Sequence, residues 1–146
     1  MAMQHTPLLM SKIIDRGAKV APNEEIVTAT ENGVRRQTYK ETRDRAHQLA
    51  HALADAGIAV GDRVGTFMWN GSRHLEAYQA CAGMGAVLHT LNIRLSEKDL
   101  EYIINHAEDQ IIIVDADILP LLEKLEGKMP TVRQVVIATE EGFEGW

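Results

Sequence analysis

The sequence predicts an α/β fold in which a mostly parallel sheet is flanked by helices and preceded by an N-terminal β-hairpin. From Val64 onward, short apolar runs alternate with helical patterns, which is typical of a parallel sheet covered by helices. Before that point, the pair Asn32-Gly33 joins two strand-like runs and favours a hairpin, because both residues tolerate positive φ. Right-handed crossovers are expected between the parallel strands.

The first part of the chain contains two helices and the strands of the hairpin. Ile14 and Ala18 recur at helical spacing, and Pro22 ends this short helix. The second helix begins at a capping box, because Thr38 and Glu41 can each satisfy the other residue's free backbone N–H. The predicted elements are a helix over residues 8–20, strands over 25–30 and 34–39, and a helix that Gly57 ends.

The second part of the chain alternates strand and helix. Ser96 is the best marked helix start, since Asp99 occupies the reciprocal capping position and Leu95 and Leu100 are spaced for a hydrophobic staple. The preceding helix is apolar on nearly every side, so we expect it to be buried on more than one face. The predicted strands are 64–68, 86–91, 111–114 and 134–138, and the predicted helices are 72–84, 96–107 and 118–125.

Composition restricts the classes of function. The chain has 146 residues, 45% of them apolar, which is enough for one core. Its 15 basic and 21 acidic residues give a net charge of -6, the wrong sign for binding a nucleic acid. Cys81 is the single cysteine, so no intrachain disulfide can form, and a reducing cytoplasm is expected. The sequence shows no export signal and no apolar run of about 18 residues, so no transmembrane segment is predicted.

The end of the chain differs in pattern from the rest. Residues 1–139 form the predicted α/β unit, whereas residues 140–146 lose the periodicity and gain Gly and Glu. We interpret 140–146 as the start of a connector to further domains.

Four patterns resemble functional motifs, but a structural role explains each of them better. Gly83-Met84-Gly85 ends a helix and opens a strand, whereas a dinucleotide fingerprint follows a strand and opens a helix. His47 and His51 lack a third ligand, so no metal site is predicted. Cys81 lies in an apolar helix without a cationic neighbour, as a buried structural cysteine does. The apolar face of the helix that Ser96 starts could line a lipid pocket, although such stripes usually belong to the core.

Polar and aromatic side chains at two strand ends are the best candidates for ligand contacts. Trp69 and Asn70 follow the strand 64–68, and His89 and Asn92 end or follow the next strand. Ligands collect at the carboxyl ends of strands in parallel α/β sheets. A polar loop that leads into a capped helix is the alternative explanation.

Two stretches carry a resemblance to a known family. "TYKE" and "AGMGAVLHTLNIRLS" resemble the first two motifs of the AMP-forming acyl-CoA synthetases, within the adenylate-forming superfamily. The string from "HLEAY" to "NHAED" more specifically resembles medium- and long-chain fatty-acid–CoA ligases and their relative, 3-methylmercaptopropionyl-CoA ligase. The resemblance covers about residues 6–139 and indicates the N-terminal subdomain. Relatives usually read Asn-Pro-Arg where this chain has Asn92-Ile93-Arg94, so the rigid turn of proline is missing.

The resemblance implies a two-step ligase that uses Mg-ATP and coenzyme A. A carboxylate attacks the α-phosphate of ATP, and coenzyme A then displaces AMP from the acyl-adenylate. The family's phosphate loop, adenine segment, ribose-binding Asp and lid Lys have no counterpart in these 146 residues. The segment alone is therefore predicted to be non-catalytic, with no catalytic or metal-ligating residue. Trp69, Asn70, His89 and Asn92 are predicted to form part of the wall of the acyl site, at the junction with a second α/β unit.

Two alternatives to this interpretation stay open. The chain could be an assembly module that dimerises without binding nucleotide, because the resembled enzymes form dimers through their N-terminal parts; a homodimer is expected in either case. The parent enzyme could also be a 3-methylmercaptopropionyl-CoA ligase. The sequence does not determine the length of the acyl chain.

Overall fold

The fold consists of a two-stranded hairpin and a five-stranded sheet with helices on both faces. It was obtained as a computed structural model, which describes residues 7–30, 33–139 and 143–145. The elements are α1 Ser11–Val20, β1 Glu25–Thr30, β2 Gly33–Thr38, α2 Tyr39–Asp55, β3 Arg63–Phe67, α3 Ser72–Met84, β4 Val87–Thr90, α4 Glu97–Ala107, β5 Ile111–Asp115, α5 Leu119–Glu123, β6 Gln134–Ala138 and β7 Phe143–Gly145.

The hairpin and the start of α2 confirm the predictions made from local sequence. Strands β1 and β2 pair antiparallel from Glu25 opposite Thr38 to Thr30 opposite Gly33. The predicted turn falls partly on residues 31–32, which lie outside the described residues. At the start of α2, the Glu41 N–H donates to Oγ1 of Thr38 at 3.2 Å, and the Thr38 N–H donates to the Glu41 carboxylate at 2.8 Å. Both bonds of the capping box are therefore present.

The large sheet has the order β4-β3-β5-β6-β7, and its first four strands are parallel. The predicted fold class is confirmed. β5 reads Ile-Ile-Ile-Val over its first four residues, and all four side chains are fully buried because helices cover both faces. Ile111 and Ile113 pack in one core with α2 and α3, whereas Ile112 and Val114 pack in a second core with α4 and α5.

Some details differ from the sequence-based expectations. At the start of α4, the Asp99 carboxylate accepts from the hydroxyl of Ser96 at 2.6 Å instead of from the backbone N–H of that residue. Asp is one methylene shorter than the Glu of a full capping box, which explains the different acceptor geometry. β7 pairs antiparallel with β6 inside the segment predicted as a connector, where no strand was expected. The domain boundary at residue 139 stays a prediction.

In the part of the chain that the structure describes, no helix has the length and apolar character needed to cross a membrane.

Candidate functional site

The strand order creates a topological switch point between β3 and β5. These strands are neighbours, but the loop after β3 leads to α3 on one face, and the loop after β5 leads to α5 on the other face. Ligands of parallel α/β sheets bind outside the carboxyl ends of the strands at such a point. The residues found there are Trp69, Asp115 and Asp117, with Arg73 close enough to affect the charge of Asp115, and we call these four residues the switch-point cluster.

Trp69 joins the ends of β3 and β5 with two hydrogen bonds. Its backbone N–H donates to Oδ2 of Asp115 at 2.7 Å, and its indole N–H donates to Oδ2 of Asp117 at 2.8 Å. The residue is nevertheless 50% exposed. Because both donors are engaged, the indole is held in one orientation while part of its aromatic surface stays available for contact with a ligand or another domain.

The carboxyl group of Asp115 in this cluster has a shifted pKa. Burial raises the pKa of its carboxyl group, and the neighbouring Asp117 raises it further. The Trp69 N–H bond and the positive charges of Arg73 and Arg35 lower the pKa, but the burial effect is larger. The cluster therefore combines a fixed aromatic surface, a partly buried carboxyl group and the guanidinium group of Arg73, and Arg35 of the hairpin adds a second positive charge that acts on Asp115. Among the described residues, no group of three or more His, Cys, Asp or Glu side chains could hold a metal ion.

His89 lies at a different place. Its Nδ1 is 3.0 and 2.8 Å from the two carboxylate oxygens of Asp109, which is fully buried and lies just before the amino end of β5. Burial raises the pKa of Asp109, although the bond to His89 opposes this effect. His89 is opposite Gly65 in β3, where an added Cβ would lie 3.2 Å from Oδ2 of Asp109. Glycine at this position therefore allows the His–Asp pair to span β3.

The four residues predicted from the sequence do not form one cluster. Trp69 is bound at the carboxyl end of β5 and His89 near its amino end, about 13 Å apart along the four residue steps of this strand. Asn70 is exposed beside Trp69. Asn92 is also exposed, and its side-chain oxygen accepts from the Arg94 N–H at 3.0 Å. This bond fixes the loop locally although proline is absent from it. The role of all four as an acyl-site wall stays a prediction.

Sequence reasoning missed the carboxylates of the cluster. Asp115 and Asp117 follow β5, and the rule about strand ends that selected Trp69 would also have selected them. Arg35 could not have been found in this way, because it lies in the hairpin, 80 positions away in sequence, and acts on Asp115 through its charge.

Comparison with known proteins identifies the family. The family model described as "AMP-binding enzyme" matches residues 14–145. The chain belongs to the AMP-binding enzyme family. A long-chain-fatty-acid–CoA ligase of Thermus thermophilus is 43% identical over 145 residues, which cover 99% of this chain and 27% of the relative. A 3-methylmercaptopropionyl-CoA ligase of Ruegeria pomeroyi is 43% identical over 136 residues, with coverage of 92% and 25%. The chain thus spans about a quarter of the length of these AMP-binding enzymes.

Solved structures show the same fold. The N-terminal domain of FACL13 from Mycobacterium tuberculosis superposes with a TM-score of 0.83 at 24% identity, covering 90% of this chain and 34% of that domain. An anthranilate CoA ligase in complex with anthranoyl-AMP gives a TM-score of 0.81 at 24% identity, covering 94% of this chain and 26% of the ligase. The resemblance to AMP-forming acyl-CoA synthetases is confirmed, and so is the predicted fold.

Proposed function

We propose that this chain is the N-terminal part of an AMP-forming fatty-acid–CoA ligase. The observation that carries the proposal is the 43% identity to a long-chain-fatty-acid–CoA ligase along 99% of the chain. The intact ligase converts a fatty acid and Mg-ATP to acyl-AMP and pyrophosphate, and then transfers the acyl group to coenzyme A. A cytoplasmic location belongs to the same proposal.

Within such a ligase, this chain supplies scaffold and one wall of the acyl site. Its sequence has no glycine-rich loop that precedes a lysine, so the phosphates of ATP are held by other parts of the ligase. Trp69, Asn70, His89 and Asn92 are the proposed wall. Trp69 has the strongest support, because its backbone N–H donates to Asp115, its indole N–H donates to Asp117, and the residue is still half exposed.

The test is ATP-dependent acyl-CoA formation by the intact ligase, measured by chromatography with octanoate, palmitate and 3-methylmercaptopropionate. Trp69→Ala should raise KM for the preferred acid more than it lowers kcat, because a wall residue contributes mainly to binding. Tyr102→Ala is the matched control, since Tyr102 is an exposed aromatic residue on α4. Absence of acyl-CoA with all three acids, in a folded intact protein, would refute the proposed function.

An assembly role is the second candidate, and one observation favours it. Helix α1 and the residues before it expose several large apolar side chains, with Leu9 and Met10 each 52% exposed and Ile13 and Val20 each 63% exposed. Exposed apolar surface of this kind favours association, here as a homodimer. Two measurements separate the candidates: light scattering of the chain and calorimetric titration of the intact protein with ATP. A dimeric chain, together with no heat of ATP binding to the intact protein, would favour the assembly module.

A further inference from the structure

Trp69 lies in a short loop over residues 68–71, between the end of β3 and the start of α3, which we call the β3–α3 loop. Its two N–H groups donate to Asp115 and Asp117 after the middle of the sheet. These bonds hold Trp69 from the side of β5, and neither of them engages its backbone carbonyl. The side chain that reaches the backbone of Trp69 from the other side is His74, in the first turn of α3.

The imidazole of His74 bridges β3 and the β3–α3 loop. Its Nε2 lies 3.0 Å from Oγ1 of Thr66 in β3. Burial lowers the pKa of His74, and a hydrogen bond between the ring and the backbone of Trp69 opposes this effect. A bond that raises the pKa of a histidine is one that the ring donates, because the protonated ring is the better donor. The acceptor is therefore the carbonyl oxygen of Trp69.

These contacts determine which nitrogen of His74 carries the proton. The residue is only 8% exposed, and the effect of burial on its pKa is the larger one, so the ring is neutral at pH 7 and above. A neutral imidazole has one donor nitrogen and one acceptor nitrogen. Since Nε2 faces Thr66, Nδ1 donates to the Trp69 carbonyl and Nε2 accepts from the Thr66 hydroxyl. This bond also satisfies the hydroxyl of Thr66, which is fully buried.

We propose that His74 is a positioning residue: its Nδ1–H tautomer, selected by Thr66, holds the carbonyl of Trp69 and thereby the direction of the indole at the switch point. With this bond, the backbone N–H, the backbone carbonyl and the indole N–H of Trp69 are all engaged. The exposed half of the indole is then presented in one orientation. That this surface contacts the acyl group rests on the proposed function.

A purely structural role for His74 is the alternative that an experiment must separate. The ring also packs against Tyr78, with ring centroids 5.0 Å apart and an angle of 44° between the planes. Tyr78 lies one turn further along α3, outside the β3–α3 loop. Loss of this contact would lower stability without a specific effect on Trp69.

Two NMR measurements on the chain test the tautomer and its effect on the indole. At pH 8, the imidazole nitrogen shifts should show that His74 carries its proton on Nδ1. Trp146→Phe leaves Trp69 as the single tryptophan. In that background, His74→Ala should speed hydrogen exchange of the indole N–H about tenfold, because one of the three bonds that hold Trp69 is lost.

Two further variants serve as controls for the exchange measurement. His74→Gln should change the rate by less than about threefold, because its amide supplies both a donor and an acceptor. His51→Ala removes an exposed histidine from α2 and should leave the rate unchanged.

The kinetics of the intact ligase test whether the position of the indole matters for binding. His74→Ala should raise KM for the preferred acid about three- to tenfold, with a smaller change in kcat. In the Trp69→Ala background, the same change should raise KM by less than about twofold, because a residue that acts through Trp69 has nothing left to position. A purely structural role would give the same loss in both backgrounds.

A proton on Nε2 of His74, unchanged indole exchange in a folded His74→Ala chain, or additive losses in the double variant would overturn the assignment. If His74→Ala does not fold, the tautomer in the unaltered chain decides. Acyl-CoA formation by the intact ligase is measured independently. If that reaction fails while both NMR results are as expected, the proposed function is wrong and the positioning of Trp69 by His74 stands.

Discussion

The ion pair between Arg45 of α2 and Glu76 of α3 allows a direct test of how burial determines the contribution of an ion pair to the free energy of unfolding. Glu76 is fully buried, and its carboxylate accepts from Nε and Nη2 of Arg45 at 2.7 and 3.2 Å. It accepts a third bond, of 2.8 Å, from Nε2 of Gln37 in β2. These bonds join the hairpin, α2 and α3 at one buried carboxylate. Replacement of Arg45 by Met would leave that carboxylate buried with a single neutral donor.

We expect Arg45→Met to lower the free energy of unfolding by about 3 kcal/mol. Breaking a buried pair from one side costs about 3–5 kcal/mol, and the lower end applies because water can partly replace a guanidinium that is 35% exposed. The control is Arg36→Met, because Arg36 binds Glu25 at a similar 2.6 Å, with side chains 60% and 44% exposed. An exposed pair contributes about 1 kcal/mol or less.

Urea denaturation followed by circular dichroism measures both variants at pH 7, with the slope of the transition checked for constancy. At about 3 kcal/mol, the midpoint of thermal unfolding should also fall by roughly 10 °C for a chain of this size. Equal losses in the two variants would refute the reasoning, because the shortest N···O distances of 2.7 and 2.6 Å are nearly the same, whereas Glu76 is buried and bonded by two guanidinium nitrogens and Glu25 is exposed and bonded by one.

Three further predictions follow from single residues. Gly65→Ala should lower the free energy of unfolding by about 1–3 kcal/mol in denaturation experiments, because a Cβ there would lie 3.1 and 3.2 Å from Ile112 and Asp109. The control is Gly83→Ala, which should not lower the free energy of unfolding, because the nearest atom to its Cβ would lie at 4.0 Å. Burial raises the pKa of Cys81 to about 12, so a disulfide reagent at pH 8 should react with it only at the rate of unfolding; rapid labelling of the folded chain would contradict this. Burial lowers the pKa of His74 below its ordinary 6.5, so the contribution of the neutral imidazole to the free energy of unfolding should be fully present above pH 6.5 and be lost as the pH falls through the lowered value. His74→Gln should flatten this part of the plot of stability against pH.

Local patterns explain how much of the fold could be predicted. The capping box at Thr38 and the β-branched run of β5 are determined by neighbouring residues, and both were predicted correctly. The partners of Glu76 lie 31 and 39 positions away, so no local pattern indicates them. β7 depends on pairing with the edge of β6, which only the folded sheet provides.

The candidate site was predictable only in part, for the same reason. Trp69 lies after the carboxyl end of β3, as predicted, because connectivity alone determines which edge of a parallel sheet a residue after a strand occupies, whereas its role in ligand contact stays a prediction. The side chain of His89 is directed to Asp109 across Gly65, and this depends on the register between β3 and β4. Register is not determined by the sequence of one strand, so the grouping of His89 with Trp69 could not be checked before the structure.

Carboxylate-dependent exchange of pyrophosphate into ATP tests most directly whether this chain is the scaffold part of a fatty-acid–CoA ligase. The exchange reports acyl-adenylate formation without coenzyme A, and it can be measured on the intact ligase and on the 146-residue chain under identical conditions. We predict exchange by the intact ligase with octanoate or palmitate and none by the chain. Exchange catalysed by the chain alone, or none by the intact protein with any fatty acid, would contradict the account.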